Sequence, residues 1–147
     1  LALAWACAAA DVRDRESMAV LARHAADHIG DYNAEDLAKL THAFAELRML
    51  HEDMMSAVSM EVMFKIDQFT ASSLAQLAES CVRLQFRKEP TFECIAQRAI
   101  AISQDFAPAE LAAITSAFAA GDKPIQHEAL AKTCSKALST QCAEMTA

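Results

Sequence analysis

The chain has 147 residues with a net charge of −7, and 54% of its residues are hydrophobic, which fits one folded domain of ~100–200 residues. Two glycines and three prolines are too few for a fold rich in hairpins or in glycine-rich phosphate loops, and the acidic balance lacks the basic footprint of an autonomous nucleic-acid-binding domain. The abundance of good helix formers therefore predicts an all-α protein.

The apolar opening, residues 1–10, ends at a run of charged residues and is too short to span a membrane. It has no initiator methionine and no preceding charged segment, so it does not match a signal peptide. We expect it to be a helix that begins before Leu1, with the natural N-terminus lying further upstream.

A segment with an aromatic residue, a capping position and a leucine recurs every 37 residues, beginning at Tyr32, Phe69 and Phe106. A fixed spacing of this length is typical of stacked helical repeats. We therefore predict a single α-solenoid over residues 1–147. Its units are 1–31 (partial), 32–68, 69–105 and 106–142.

Each unit is expected to contain two helices, A and B. Asn33 and Thr70 are good N-cap residues for helix A, and Pro108 suits the first helical position, so three aligned units agree on one boundary. The preceding aromatic residue is expected to pack against the leucine in the first turn. Apolar spacing predicts helix A over 34–48, 71–85 and 108–120, and helix B over 52–66, 89–103 and 126–141.

Both ends of the array expose a face that favours a further neighbour. We therefore expect the chain to be a fragment of a longer array, or an array packed between partners. Neighbouring proteins would then stack on the two open ends.

The 37-residue unit and the helix A segment at 37–47, LAKLTHAFAEL, resemble the heptatricopeptide repeats. These repeats are related to the octotricopeptide repeats and to the helical arrays of RAP-domain proteins. The resemblance covers nearly the whole chain. It implies an organellar RNA-associated protein that binds ribosomal RNA or an organellar transcript, in the mitochondrion rather than the plastid.

Unit 69–105 is the least acidic and contains the best candidates for RNA contact. Arg83, Arg87 and Lys88 fall at the end of helix A and in the following turn, while Arg98 lies on helix B. Cationic side chains there can hold phosphate groups. The alternative is that they stabilise the C-terminus of a helix, where the dipole favours positive charge.

Equivalent positions on helix A provide possible readers of bases, because repeat proteins that recognise RNA use side chains at fixed repeat positions. Lys39 and Gln76 share one such position, and His42 and Glu79 share another. The same residues would also suit an ordinary solvated surface.

The sequence favours neither catalysis nor a bound metal, cofactor or small-molecule substrate. His24 and His28 have a metal-binding spacing but lack the glutamate of the H-E-x-x-H motif. Cys7 and Cys81 share repeat positions with Phe44 and Phe118, as expected for small core residues. We therefore expect a protein that is not an enzyme.

Two functions fit the sequence, and we favour the first, with the second as the alternative. The first is a mitochondrial ribosome component that contacts ribosomal RNA and neighbouring proteins. The second is a protein-only scaffold or adaptor subunit of a large organellar complex, which the net charge of −7 favours.

Overall fold

The computed structural model describes Ala6, residues 14–120 and residues 127–146. In these ranges the protein forms seven α-helices and no β-strand, so the all-α prediction is confirmed. No helix in the described ranges is long and apolar enough to cross a membrane. The helices are α1 (Arg15–Asp27), α2 (Ala34–Glu46), α3 (Glu52–Lys65), α4 (Ala71–Arg83), α5 (Glu89–Ala101), α6 (Pro108–Ala119) and α7 (Glu128–Thr146), with 3₁₀ turns at Ile29–Asp31 and Ile66–Gln68.

The helices stack in two layers. One layer consists of α2, α4 and α6, which pack in that order, and the other consists of α1, α3, α5 and α7. Each helix A thus contacts the helix A of the next unit, and each helix B contacts the next helix B, as in an α-solenoid. The unit boundaries at 32–68, 69–105 and 106–142 stay a prediction.

The core lies between the layers. Phe44, Phe69, Phe92 and Phe106 are its largest fully buried side chains. Burying one such side chain contributes roughly 1.5–3 kcal/mol. The buried leucine that follows each helix A cap, at Leu37, Leu74 and Leu111, belongs to the same core.

The start of helix A is fixed by local hydrogen bonds, as predicted. The side chain of Asn33 accepts a bond of 2.8 Å from the backbone N–H of Asp36. Thr70 and Ser73 form a reciprocal capping box. At Ala107, which has no side-chain acceptor, the Glu110 carboxylate accepts the Ala107 backbone N–H at 2.9 Å. These bonds satisfy donors that a helix N-terminus otherwise leaves unpaired.

The ends of α2 and α4 differ from the prediction. They stop at Glu46 and Arg83 instead of residues 48 and 85, because Arg48 and Gln85 have positive φ angles of 53° and 56°. Backbone bonds from Met49 to Phe44 and from Phe86 to Cys81 then close a Schellman motif at each end. Glycine normally occupies such a position, so its absence concealed both helix ends.

Other boundaries also need correction. Helix α5 ends at Ala101 instead of residue 103, and α3 ends at Lys65 before a 3₁₀ turn. The last helix begins at Glu128 and extends to Thr146, beyond the predicted end at residue 141. The predicted opening helix over residues 1–10, which includes Cys7, lies outside the described residues apart from Ala6.

Candidate functional site

The turns between helices form two opposite edges of the solenoid. The intra-unit edge, between helix A and helix B of one unit, consists of residues 47–53 and 84–90. The inter-unit edge, between helix B and the next helix A, consists of residues 27–33, 64–70 and 101–107. Three of the four candidate RNA-contact residues lie on or next to the intra-unit edge, and Arg98 points elsewhere.

Arg83 lies at the C-terminus of α4 and bridges two units. Its guanidinium donates to the Glu79 carboxylate at 2.9 Å and also to Glu46 on α2. The side chain remains 46% exposed, so these ion pairs contribute at most ~1 kcal/mol to stability. Arg83 therefore keeps surface available for a ligand while it holds two acidic neighbours.

Arg87 packs inward from the intra-unit edge. Its guanidinium donates to the carbonyl oxygens of Phe118, at 3.2 Å, and Ala120 at the end of α6. The same group lies 5.4 Å from the ring centre of Phe92. Cationic groups favour helix C-termini because the carbonyls there carry partial negative charge. Arg87 thus links α6 to the preceding unit.

Arg98 takes part in a bond that recurs along the inter-unit edge. Its guanidinium donates to the carbonyl oxygen of Phe69 at 3.2 and 3.3 Å. In the flanking units the corresponding carbonyls, those of Tyr32 and Phe106, accept bonds from the Lys65 ammonium at 2.7 Å and the Gln141 amide at 2.6 Å. In three units, a side chain of helix B therefore donates to the backbone carbonyl of the aromatic residue just before the helix A cap. The three units use three different side chains.

Lys88, like Arg83, is exposed, whereas Arg87 and Arg98 are half-buried. Its ammonium donates to the Ser56 hydroxyl at 2.9 Å and lies 5.0 Å from the ring centre of Phe86. Neither of these two contacts is with a carboxylate, so they do not neutralise the positive charge of Lys88. Lys88 and Arg83 therefore fit the predicted phosphate contact better than Arg87 and Arg98 do.

A groove between two successive intra-unit turns adds a cation that the sequence analysis did not select. Arg48 is exposed and lies in this groove with Arg83 and Gln85. A non-glycine residue with positive φ costs about 1–3 kcal/mol, and such strain is often found at functional positions. Arg48 occupies the position just after the end of a helix, where glycine is usual. That departure is the sequence signal that could have identified it. We name this the turn groove; its lining residues are Ala45, Glu46, Arg48, Leu50, Arg83, Leu84 and Gln85.

The possible base readers lie on α2 and α4. Glu79 pairs with Arg83, as described above, and Lys39 pairs with Glu35 one helical turn away. His42 is half-buried, with its Nδ1 3.5 Å from the Ser80 hydroxyl and its Nε2 3.8 Å from the Glu46 carboxylate. Their role as readers stays a prediction, as does that of Gln76.

The described residues contain no group of three side chains that could hold a metal ion. His24 and His28 stack on each other with ring centres 4.4 Å apart. Burial raises the pKa of the Cys81 thiol to about 12, which keeps the sulfur protonated and weakly nucleophilic at neutral pH. Cys81 therefore packs in the core, whereas His24 and His28 are exposed at the end of α1.

The fold and its edges define a two-layer, α-solenoid-like protein whose intra-unit turns carry three arginine or lysine residues and three acidic residues. The chain belongs to the family of RNA-editing substrate-binding complex 6 proteins, whose family model matches residues 2–147. No individual curated protein matches it.

The family match corrects two expectations. The resemblance to the heptatricopeptide repeats is wrong, because the matching family is a different one. The expectation of a mitochondrial ribosome component is wrong as well, since the family is described by an RNA-editing complex. Caps, alanines and leucines at regular spacing are what any stacked two-helix unit needs, and they do not distinguish one repeat family from another.

Proposed function

We propose that this protein is a non-catalytic, RNA-associated subunit of a mitochondrial RNA-editing substrate-binding complex. The observation that carries the proposal is the family match over residues 2–147. RNA and other protein subunits of the complex are its partners, and it needs no cofactor or small-molecule substrate. The solenoid supplies an extended surface on which several partners can be arranged.

We place the RNA contact at the turn groove and at Lys88. Arg48, Arg83 and Lys88 are the exposed cations of this region, and cationic grooves bind single-stranded RNA through its phosphates. Arg87 and Arg98 do not form part of this contact surface, because their guanidinium groups bond to the backbone carbonyls of Phe118 and of Phe69, the latter on the opposite edge. The surrounding acidic residues keep the affinity of the isolated subunit low, which fits a protein that binds RNA as part of a complex.

The proposal is tested by ultraviolet cross-linking of RNA to the tagged protein in the complex purified from cells. Replacing Arg48, Arg83 and Lys88 together by glutamine is expected to lower the yield of cross-linked RNA several-fold. It should also reduce the salt dependence of RNA binding by ~0.7 per lost phosphate contact. The matched control replaces Arg15, Arg23 and Lys132, three exposed cations outside the groove, by glutamine.

Equal RNA yields from the groove variant, the control and the unmodified protein would contradict this placement. Loss of RNA in both variants would indicate a general charge effect and would contradict it too. Absence of cross-linked RNA in the unmodified complex would favour the protein-only scaffold, which the net charge of −7 also suits.

A further inference from the structure

Three apolar side chains on α3 are exposed where the rest of the described surface is mostly polar or small. Phe64 is 80% exposed, Met60 is 58% exposed, and Met63 lies beside them. Met60 and Phe64 are four residues apart and share one helix face. We name Met60, Met63 and Phe64 the apolar patch.

The patch belongs to one unit only. Phe64 occupies the thirteenth position of α3, and Ala101 occupies the same position of α5. The fold does not require a large side chain at this position, because the equivalent residue of the next unit is an exposed alanine. Packing in the core therefore does not explain why position 64 is a phenylalanine. An exposed phenylalanine flanked by methionines is typical of a protein-binding surface.

The charges around the patch are acidic. Asp67 follows Phe64 in the next turn, and Asp31 is exposed where α1 passes into α2. The last part of α3 contacts that region, because Lys65 donates to the carbonyl of Gly30 at 2.7 Å. The unit that contains the patch, 32–68, has three basic and seven acidic residues.

Lys65 does not offset this acidity at the surface. It is the one lysine or arginine in residues 27–33, 64–70 and 101–107. Its ammonium has three donors, and Gly30, Tyr32 and the Glu61 carboxylate at 2.8 Å accept from it. Its side chain is only 19% exposed, so its charge is directed into the fold.

We propose that the apolar patch and its acidic rim bind another protein subunit through a surface that has an apolar pocket flanked by lysine or arginine. The acidic residues around the patch favour a basic protein surface over a second copy of the chain or RNA. A second copy of the chain would bring the same aspartates to a two-fold interface, and RNA phosphates would meet negative charge. A partner surface with an apolar pocket and basic residues beside it complements both the apolar patch and its acidic rim.

The proposal is independent of the RNA contact, because the patch lies in the last turns of α3 and reaches the inter-unit edge at Phe64, while the turn groove lies on the intra-unit edge. The test places a photo-reactive phenylalanine analogue at position 64 in the complex purified from cells. The control places it at position 101, which has the same place in α5 and is also exposed. The cross-linked peptide is identified by mass spectrometry, with and without RNase.

We expect position 64, and not position 101, to give an adduct with another protein whose peptide contains apolar residues beside lysine or arginine. RNase should leave this adduct unchanged. Replacing Asp31 and Asp67 by lysine should lower its yield on the order of tenfold, since charge at the rim of an interface controls association. Phe64→Ser should release the partner while leaving the midpoint of unfolding nearly unchanged, because the ring is exposed.

An adduct with a second copy of the chain, with RNA or with an acidic peptide would overturn the proposal. The same is true if no adduct forms, or if positions 64 and 101 give the same products. Failure of the turn-groove variants to affect RNA would leave these results untouched, so the two proposals fail separately.

Discussion

At the inter-unit edge, each turn is held by a buried aromatic or partly buried tyrosine and by a side chain that bonds to its carbonyl. At the intra-unit edge, two turns are closed by backbone bonds around Arg48 and Gln85, both with positive φ. The first edge presents aspartates and Phe64 of the apolar patch, and the second presents Arg48 and Lys88 together with Glu52, Asp53 and Glu89. One two-helix unit thus produces one well-anchored acidic edge and one strained edge of mixed charge.

This difference shows that charge in a solenoid is better counted along its edges than along its sequence. The whole chain is acidic, yet its exposed cations at the turn groove come together from successive units. A solenoid places equivalent turns side by side, so residues about one repeat apart become neighbours. Separate surfaces for RNA and for protein can therefore coexist on a chain with a net charge of −7.

The largest expected effect concerns the anchoring aromatic residues of the inter-unit edge. Phe69→Ala should lower the free energy of unfolding by about 3–5 kcal/mol, because it removes a fully buried ring. Phe86→Ala, on the intra-unit edge, should cost less, since that ring is only half-buried. Urea denaturation measures both values. Equal losses would show that the two edges are anchored alike.

The next effect concerns the bond that each helix B makes to the residue before helix A. Arg98→Ala should lower the free energy of unfolding by about 1–2 kcal/mol, because it removes a charge-assisted bond to the Phe69 carbonyl. Arg98→Gln should recover part of this loss, as Gln141 makes the same bond with an amide. If alanine and glutamine are equivalent in urea denaturation, the bond contributes little and the guanidinium is available for RNA.

The smallest effect concerns the strained intra-unit edge. Gln85→Gly should raise the free energy of unfolding by about 0.5–1 kcal/mol, because glycine adopts φ of 56° without a steric penalty. Gln85→Ala keeps the Cβ atom and should give no such gain. The shift in the thermal midpoint of unfolding is measured for both variants and compared. A gain from alanine as large as that from glycine would mean that the backbone is not strained.

The sequence by itself determined the all-α class, the order of the helices and the start of each helix A. Those features depend on local signals: helix-forming composition, side-chain acceptors at Asn33 and Thr70, Pro108, and apolar residues at regular spacing. Local signals also gave the core, because Phe44, Leu77 and Ile95 recur at positions that a helix turns inward.

Only the tertiary structure decided where the charged side chains go. Arg87 and Arg98 look alike in the sequence to Arg83, yet their guanidinium groups bond to carbonyls of other elements. Arg48 became a candidate only when its φ angle and the adjacent turn were known. These contacts join residues roughly 30 or more positions apart, and a long flexible cation can reach several acceptors. The acceptor that such a side chain binds therefore depends on how the units pack against each other. A local sequence pattern carries no information about that packing.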